Sequence, residues 1–453
     1  VGLDAAARPA MSAASFLRRL LGRSGGAAQN TQHLVSLCEA LLGERGEVSG
    51  AALARQALTA YQGLDERSRE EFFDALAQEF GPSPEAVGKA ADAYRYDPTP
   101  QNLIQLQEVI DTARQELFRR LNMAPGGTEM LVGMRRQLLR GLKKHPAWSA
   151  IDADLLHLFR SWFNRGFLRL ERIDWHTPAI VLEKLIEYEA VHAVQGWRDL
   201  RRRLEADRRC FAFFHPQLPD EPLIFIEVAL THGLSAQVQP LLDVKSPVAV
   251  PEQADCAIFY SITNCQEGLR GTSFGNLLIK QVAEDLKREF PHLRTFATLS
   301  PIPGFRHWLA QTETRVQLSM GPNAEQRLAL LSVIDQAGWH SGAVSEALQK
   351  LLMRLCAWYL LHAKQGAEPL DPVSRFHLGN GAALERLNWL GDTSESGMAR
   401  SAGMMVNYIY KLEDVERNHE RYFADHAVVA SRTVETLARK SPLAVPAEKR
   451  AGA

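Results

Sequence analysis

The sequence has few cysteines, and those that it has form no paired motif. Cys38, Cys210, Cys256, Cys265 and Cys356 are scattered, odd in number and nowhere spaced as CxxC. A disulfide framework and a cysteine-based zinc site both need closely spaced cysteines in pairs. The pattern therefore predicts a protein of a reducing compartment without a metal site.

The sequence also lacks a long apolar run and an excess of charge of one sign. No apolar stretch reaches the ~18 residues that a membrane-spanning helix needs. The 52 basic and 53 acidic residues give a net charge of −1, which provides no global field for nucleic acid. Neither a membrane nor nucleic acid is expected as a partner.

With 46% hydrophobic and 23% charged residues over 453 positions, about two globular domains are expected.

The N-terminal segment "MSAASFLRRLLGRSGGAAQ", which starts at Met11, is basic and free of acidic residues. This composition has a faint likeness to a mitochondrial presequence, and it also fits a first amphipathic helix. The C-terminal residues "KRAGA" carry no peroxisomal address. We therefore expect a bacterial-type cytoplasmic location, with mitochondria as the alternative.

Residues 28 to 205 have the apolar spacing of helices. In "TPQNLIQLQEVIDTARQELFRRL" the apolar residues from Leu103 to Leu117 form one stripe, with Thr99 as N-cap and Pro100 at the first helical position. "SPEAVGKAADAY" starts in the same way, with Ser83 before a proline. This half is predicted to be an all-α bundle, and no catalytic motif stands out in it. We place a helical oligomerisation domain at 12–165, with its boundary somewhere within 160–205.

The spacing changes near residue 209, where β-rich segments begin. They are "RCFAFFHP", "LIFIEVALTH", "AIFYSITN", "LRTFATLS" and "MMVNYIYKL". Helical patterns return between the last two of them. The fold class is therefore predicted as α+β, with a largely antiparallel sheet and a helical insertion in a second domain at 166–453.

A strand runs into the glycine-bearing turn "RGTSFG", and a helix follows it. Gly271 and Gly275 would let the backbone approach a ligand closely. The free N–H groups of the next helical turn could bind an anion, with Arg270 at the entrance. The turn matches neither GxGxxG nor GxxxxGK[ST]. Phosphate binding and a purely geometric turn both stay open at this point.

The heptapeptide "LSPIPGF" places Ser300 at the end of a predicted strand. Pro301 and Pro303 follow, and neither can donate a ladder hydrogen bond. The pattern is typical of an ordinary strand end, but it also fits the edge of a functional site.

Several of these segments resemble known families. "RGTSFGNLLIKQV" is similar to the acyl-CoA pyrophosphate loop of the GNAT superfamily, in which Arg270 and Gly275 match and Ser273 replaces a glycine. Four longer segments resemble the malonyl-CoA decarboxylase family. They are "FYSITNCQEGLRG", "LIKQVAEDLKREFPHLRTFATLSPIPGF", "RFHLGNGA" and "SAGMMVNYIY".

The resemblance implies an N-terminal helical bundle followed by a GNAT-like α+β catalytic domain. It implies that Ser300 points into the malonyl site, that His377 is the proton donor and that Tyr410 lines the same pocket. It further implies a segment that binds the pyrophosphate of coenzyme A, namely Arg270, Gly271, Thr272, Ser273, Phe274, Gly275 and Asn276. The expected partners are malonyl-CoA, acetyl-CoA and further copies of the chain, as a dimer or tetramer formed through the helical domain.

The chemistry of malonyl-CoA decarboxylation agrees with these residue types. It needs a carboxylate held across the thioester plane, donors for the enolate oxygen and an acid near neutral pKa, such as an imidazole. No cofactor is expected beyond the coenzyme A of the substrate, and Ser300 need not be acylated. Some relatives carry an acidic residue where this chain has Ser273. A GNAT-type N-acyltransferase and a non-enzymatic malonyl-CoA-binding protein are the alternatives.

Overall fold

The computed structural model describes residues 26–44, 46–272, 278–336, 338–342 and 344–444. The chain divides into two units, one of Val1–Trp162 with Glu267–Thr272 and one of Phe163–Gln266 with Ser273–Ala453. Within the described ranges, no helix is long and apolar enough to cross a bilayer.

The described part of the first unit is helical. Its α-helices are α1 (Gly26–Gly43), α2 (Glu47–Gln62), α3 (Glu66–Glu79), α4 (Pro84–Tyr96), α5 (Pro100–Ile110), α6 (Ala113–Asn122), α7 (Gly127–Gly141) and α8 (Ser149–Trp162). The helix start predicted at Ser83 is confirmed, because the Ser83 side chain accepts a hydrogen bond from the N–H of Ala86. The start at Thr99 is confirmed in the same way through the N–H of Asn102.

The prediction of one continuous helix from Pro100 to Leu117 is wrong. Helix α5 ends at Ile110, and Thr112 then caps a new helix by accepting from the N–H of Gln115 at 3.0 Å. A threonine that binds its own downstream N–H favours a helix start over a helix interior. Leu117 is buried, whereas Ile110 is 50% exposed. The apolar residues that form one stripe in the sequence therefore belong to two helices and differ in their burial.

The second unit is a mixed sheet with helices. Its strands are β1 (Arg169–Ile173), β2 (Arg208–Phe214), β3 (Ile224–Thr231), β4 (Cys256–Asn264), β5 (Thr295–Thr298), β6 (Ser300–Pro301), β7 (Lys364–Gln365), β8 (Glu368–Pro369), β9 (Ala383–Asn388) and β10 (Met405–Ile409). Its α-helices are α9 (Ala179–Tyr188), α10 (Trp197–Arg203), α11 (Gln239–Leu242), α12 (Leu278–Glu289), α13 (Phe305–Ala310), α14 (Thr312–Leu318), α15 (Ala324–Ser332), α16 (Glu346–His362), α17 (Pro372–Gly379), α18 (Glu395–Ser401), α19 (Val415–Asp425) and α20 (Arg432–Arg439).

Eight strands form one sheet in the order β1-β2-β3-β4-β5-β10-β6, and β9 also pairs with β10. Among the described strands, β4 and β5 form a parallel pair and the other ladders are antiparallel. Helix α12 connects β4 to β5 and buries Leu278, Val282 and Leu286. The predicted α+β class, its largely antiparallel sheet and the helical insertion (α13 to α16) are confirmed, but strands β1 and β9 were not predicted. The helical interpretation of residues 28–205 is wrong at Arg169–Ile173, where pairing with β2 makes this segment a strand.

Candidate active site

The sheet opens where β4 and β5 stop pairing. The parallel ladder runs from Cys256↔Thr295 to Phe259↔Thr298, and no residue of β4 beyond Phe259 pairs with β5 or β6 in the described ladders. On its other side β4 bulges, because Ser261 pairs with Glu227 while Phe259 pairs with Val228, so that Tyr260 is the extra residue. A bulge bends its strand, and here it lies where the two neighbouring strands diverge.

A cavity of about 230 Å³ lies at this opening, within the second unit. It is lined by Val191, Phe259, Tyr260, Ile262, Asn264, Ser300, Pro301, Pro372, Val373, Phe376 and His377. All of these lining residues are apolar or uncharged polar except the histidine, which can titrate. The wall of the cavity is therefore weakly polar, and Ser300 and His377 lie together in it.

Ser300 begins the short strand β6 and does not end the sheet. Ser300 pairs with Val406 and Pro301 pairs with Met405, in the same register that pairs Ala297 of β5 with Ile409. The expectation that pairing stops at the serine is therefore wrong by one residue. The chain leaves the sheet at Ile302 and enters a turn that leads to α13.

His377 reaches the cavity from α17. This helix begins with Pro372, and Asp371 caps it by accepting from the N–H of Ser374 at 2.8 Å. The imidazole of His377 is stacked on the ring of Tyr408, with 4.6 Å between ring centroids and 26° between planes. The cap and the stacked ring together hold the imidazole in one orientation.

The three predicted catalytic residues form one hydrogen-bonded chain. Nε2 of His377 lies 2.9 Å from Oγ of Ser300, and Nδ1 lies 2.8 Å from the hydroxyl oxygen of Tyr410. All three side chains are buried. The structure thus brings together residues that are up to 110 positions apart in number, on β6, on α17 and directly after β10.

Burial keeps this chain uncharged. It lowers the pKa of His377 to about 3 and raises the pKa of Tyr410 well above its usual value, because a buried site disfavours the charged form of each group. The imidazole is therefore neutral at physiological pH in the structure. The expectation of an acid already near neutral pKa is not met by these residues alone.

The predicted coenzyme A segment is described only in part. Arg270 is exposed, Gly271 has a φ of +81°, and the buried hydroxyl of Thr272 has no hydrogen-bond partner among the described residues. The positive φ explains the glycine, since other residues rarely adopt it. Ser273, Phe274, Gly275 and Asn276 lie outside the described residues.

The segment Glu267–Thr272 belongs to the helical unit, which the sequence did not predict. Nη1 of Arg135 on α7 donates to the carbonyl oxygens of Gly268 at 2.7 Å and Arg270 at 2.8 Å. Nε of Arg135 donates to Asp152 at 2.8 Å. Gly268 packs so closely on α7 that a Cβ there would lie 2.0 Å from the carbonyl oxygen of Val132.

Sequence reasoning did not single out several residues around the chain. Oγ of Ser300 donates to Oγ1 of Thr298 at 2.8 Å, and Oγ of Ser374 lies 2.6 Å from the hydroxyl of Tyr408. Strand alternation already places Thr298 on the face of Ser300, so this signal was available. Val191, from the loop after α9, had no comparable signal. In the described ranges, no group of three or more His, Cys, Asp or Glu residues could hold a metal ion.

Two sequence profiles cover most of the chain. The profile of the malonyl-CoA decarboxylase N-terminal domain matches residues 80–163, and that of the malonyl-CoA decarboxylase C-terminal domain matches residues 166–448. The chain belongs to the malonyl-CoA decarboxylase family. The resemblance seen in the sequence motifs is thereby confirmed.

Relatives within this family match over most of their length. The mitochondrial malonyl-CoA decarboxylase of Anser anser anser is 38% identical over 406 residues, which are 83% of this chain and 81% of that protein. The mitochondrial enzyme of Rattus norvegicus is 36% identical over 411 residues, 83% of each chain.

Solved structures of the family are also similar to this chain. The crystal structure of malonyl-CoA decarboxylase from Rhodopseudomonas palustris is 48% identical with a TM-score of 0.85, and the match covers 90% of this chain and 99% of that one. The corresponding structure from Agrobacterium vitis is 47% identical with a TM-score of 0.82 and the same coverage.

Proposed function

We propose that the protein converts malonyl-CoA into acetyl-CoA and CO₂, with His377 as the proton donor. The observation that carries this proposal is the hydrogen-bonded chain of Ser300, His377 and Tyr410 beside a weakly polar cavity. Family membership and the relatives named malonyl-CoA decarboxylase support the choice of substrate.

The size of the cavity fits the acyl end of such a substrate. About 230 Å³ is below the roughly 300–1,000 Å³ that is typical of sites for whole small molecules. A malonyl group needs less space than the nucleotide and pantetheine parts of coenzyme A. The cavity is therefore suited to the reacting group, with the remainder of the thioester outside it.

The weakly polar wall favours loss of carbon dioxide. A malonyl carboxylate in this cavity gives up hydration and meets apolar side chains such as Val191, Ile262 and Phe376. In the transition state the negative charge spreads from the carboxylate into the thioester. Such a wall therefore destabilises the substrate more than the transition state. His377, oriented by Ser300, would hold the carboxylate so that its C–C bond stands across the thioester plane.

The reaction needs an acid that protonates the enolate carbon, and we assign this role to His377. Breaking the C–C bond releases CO₂ and leaves the electron pair as a thioester enolate, and one proton on the terminal carbon completes acetyl-CoA. A carboxylate next to His377 favours the imidazolium, which counters the effect of burial on its pKa. The enolate keeps that negative charge in place until His377 transfers its proton and becomes neutral again.

The enolate oxygen needs hydrogen-bond donors, and we assign them to the open edge of β4. From Tyr260 to Asn264 this edge faces the cavity, with the bulge at Tyr260 next to it. Backbone N–H groups in such a position are preorganised, and one donor is typically worth about 2.7–4 kcal/mol. Tyr410 would act through His377 as a positioning donor.

For coenzyme A, we propose the segment from Arg270 to Asn276. The support is the positive φ of Gly271, the exposed Arg270 and the hydroxyl of Thr272, which has no hydrogen-bond partner among the described residues. Backbone bends of this kind and a nearby guanidinium suit a pyrophosphate. The hydrogen bonds from Arg135 to the carbonyl oxygens of Gly268 and Arg270 would stabilise the backbone conformation of this segment.

A homo-oligomer formed through the helical unit is part of the proposal. Helices α4 and α5 contain no fully buried side chain, and they carry exposed apolar residues, with Ile104 46% exposed and Tyr96 94% exposed. Exposed apolar residues on paired amphipathic helices are typical of an interface.

A cytoplasmic location is proposed as well. All five cysteines are free thiols, which suits a reducing compartment.

Mass spectrometry of purified protein with malonyl-CoA in D₂O tests the proposed reaction. Acetyl-CoA with one deuterium in its methyl group should form without any added amine or metal. His377→Ala should lower kcat by about 10²–10⁴-fold, the range for a general acid. His232→Ala, which removes an exposed histidine of the same unit, should leave kcat within about 3-fold.

The alternatives predict other products. A GNAT-type N-acyltransferase would leave malonyl-CoA intact until an amine is added and would then release free coenzyme A. A binding protein would retain malonyl-CoA unchanged, and His377→Ala would not alter turnover because there would be none. Equal activity of His377→Ala and the unmodified protein would keep the reaction but remove the assignment of His377.

A further inference from the structure

The strand that carries Ser300 is irregular at Thr298, two residues earlier. Strands β5 and β6 pair with β10 in one register on either side of this point, with Ala297 opposite Ile409 and Ser300 opposite Val406. At Thr298 two side-chain hydrogen bonds take the place of the ladder. The backbone N–H of Tyr408 donates to Oγ1 of Thr298 at 3.1 Å. The carbonyl oxygen of Thr298 accepts from Nδ2 of Asn407 at 2.6 Å.

The amide of Asn407 can take only one orientation. Its Oδ1 accepts from Nδ2 of Asn388 at 2.8 Å and from Nε of Arg386 at 3.1 Å. Both of these groups are donors, so the oxygen must face them and the amide nitrogen must face Thr298. Nδ2 of Asn407 also donates to the carbonyl oxygen of Ser235 at 3.2 Å. The side-chain amide of Asn407 therefore has its donors and acceptors in use, and it fixes the backbone at Thr298.

The hydroxyl of Thr298 sets the direction of the next hydrogen bonds. Its oxygen has two acceptor positions, and they receive the N–H of Tyr408 and the O–H of Ser300 at 2.8 Å. The single proton of Ser300 is thereby used. Oγ of Ser300 can then only accept from Nε2 of His377, 2.9 Å away.

The directions of these hydrogen bonds select one tautomer of the neutral imidazole. Nε2 of His377 carries the hydrogen and donates to Ser300. Nδ1 is then the acceptor and takes the O–H of Tyr410 at 2.8 Å. Because Ser300 and His377 both line the cavity, the hydrogen on Nε2 lies on the cavity side. The opposite tautomer would place it on the side of Tyr410.

We propose that Thr298 is a positioning residue for the reaction, because its hydroxyl orients Ser300 as an acceptor and so keeps a hydrogen on Nε2 of His377. This hydrogen is present in the resting neutral imidazole, and it is the one that the imidazolium formed with bound substrate gives to the enolate carbon. This proposal rests on the proposed function for its kinetic consequence, but its structural consequence does not depend on turnover. Without the acceptor at Thr298, the hydroxyl of Ser300 can turn and donate to Nε2. The imidazole then carries its hydrogen on Nδ1, away from the substrate.

The kinetic test compares Thr298→Val, which keeps the shape and removes the hydroxyl, with Thr298→Ser, which keeps the hydroxyl. Thr298→Val should lower kcat by about 10–100-fold, in line with the loss of a buried hydrogen-bond partner, and should leave KM within about 3-fold. Thr298→Ser should keep kcat within about 3-fold. Thr128→Val is the matched control. It removes the buried hydroxyl that donates to Asn122 at 2.8 Å in the helical unit, and its kcat should be unchanged.

The result that overturns the proposal is equally definite. If Thr298→Val keeps the kcat of the unmodified protein, the hydroxyl orients nothing that matters for the reaction. If Thr298→Ser loses as much kcat as Thr298→Val, keeping the hydroxyl does not preserve activity, and the orienting role is rejected. The unmodified protein in the same assay reports on the proposed function separately, since absence of any turnover there would reject the decarboxylase and not the orienting role.

A spectroscopic test addresses the orienting role without turnover. In protein labelled with ¹⁵N-histidine, the signals missing from His377→Gln identify His377, and neutral tautomers differ clearly in their nitrogen shifts. The expected signals are a protonated Nε2 and an unprotonated Nδ1, changed towards the opposite tautomer in Thr298→Val. A protonated Nδ1 in the unmodified protein, or no change in Thr298→Val, would overturn the proposal.

Discussion

The hydroxyl of Tyr410 lies 2.8 Å from Nδ1 of His377, although the two residues are 33 positions apart and belong to different elements. Tyr410 follows β10 directly, and its backbone N–H donates to the carbonyl oxygen of Phe296 at 2.8 Å. The sheet therefore places the phenol, and α17 places the imidazole. Neither group is charged in this environment, so the contact orients the ring and does not form an ion pair.

Removing this hydroxyl should slow the reaction without unfolding the protein. Tyr410→Phe keeps the buried ring and leaves Nδ1 of His377 without its partner, which costs about 1–3 kcal/mol for a buried group. We expect kcat to fall by roughly 5–100-fold. Tyr61→Phe, which removes the buried hydroxyl that donates to Gln137 at 2.7 Å in the helical unit, is the control. An unchanged kcat in Tyr410→Phe would show that Tyr410 only packs.

Stability should depend on pH through His377. The pKa of this imidazole is about 3 in the folded protein and about 6.5 when unfolded. Below pH 6.5 the unfolded chain binds a proton that the folded chain does not bind. This contribution to stability is therefore complete above pH 6.5 and decreases towards pH 3 by about 1.4 kcal/mol per pH unit.

Urea unfolding at several pH values between 7.5 and 5 measures this effect. The difference in unfolding free energy between the unmodified protein and His377→Gln should change with pH by that slope below 6.5 and stay constant above it. Parallel pH curves for the two proteins would mean that His377 has an ordinary pKa when folded.

Arg135 should control the affinity for the thioester. Arg135→Lys keeps the positive charge, but an ammonium cannot serve both carbonyl oxygens and Asp152 as the guanidinium does. Because the segment with Arg270 would lose its support, we expect KM for malonyl-CoA to rise by about 5–50-fold with a smaller change in kcat. Arg136→Lys, at the exposed neighbouring position, is the control, and equal KM values in both variants would contradict the prediction.

The cavity wall should set the tolerance for a substituent on the malonyl carbon. Val191→Ala removes two methyl groups from the lining, which gives space for one more carbon next to the reacting bond. The ratio of kcat/KM for methylmalonyl-CoA to that for malonyl-CoA should rise by about 5–30-fold, since one methylene in a pocket is worth about 1–3 kcal/mol. Val181→Ala removes the same volume from the buried face of α9 and should leave the ratio unchanged.

The exposed apolar face of α5 should hold copies of the chain together. Ile104→Glu introduces a charge at a position that is 46% exposed, so the fold should tolerate it while an interface should not. Light scattering after size-exclusion chromatography should show a smaller assembly, with unchanged helical circular dichroism. Gln105→Glu adds the same charge at the adjacent exposed position and is the control. A monomeric unmodified protein would reject the interface altogether.

The fold was predictable from the sequence where local signals agree with tertiary packing. The strands from β2 to β5 and β10 are rich in β-branched and aromatic residues, and the structure has all of them. Strand β9 was missed, because "ALERLN" consists largely of good helix formers and places Leu384 and Leu387 at helical spacing. Its pairing with β10 overrides this local preference.

The site was predictable only in outline. The family resemblance pointed to Ser300, His377 and Tyr410 as site residues. The structure brings these three side chains into contact. Their hydrogen-bond partners depend on register, which a sequence does not state. Asn407 contacts Thr298 because β10 pairs with β5 in one particular register. Val191 comes from a loop whose position is set by tertiary contacts, so no periodicity points to it.

The helical insertion has a consequence for the order of folding. Ser300 lies before α13 and His377 lies after α16, so their hydrogen bond closes a stretch of 77 residues. Contacts of such long sequence separation carry a high loop-closure entropy and form late. Strands β1 to β5 can therefore pair before the catalytic pair meets, whereas β10, which pairs with β5 and β6 across the same insertion, joins the sheet late as well. Partial unfolding of α13 to α16 would abolish turnover while the pairing of β1 to β5 survives.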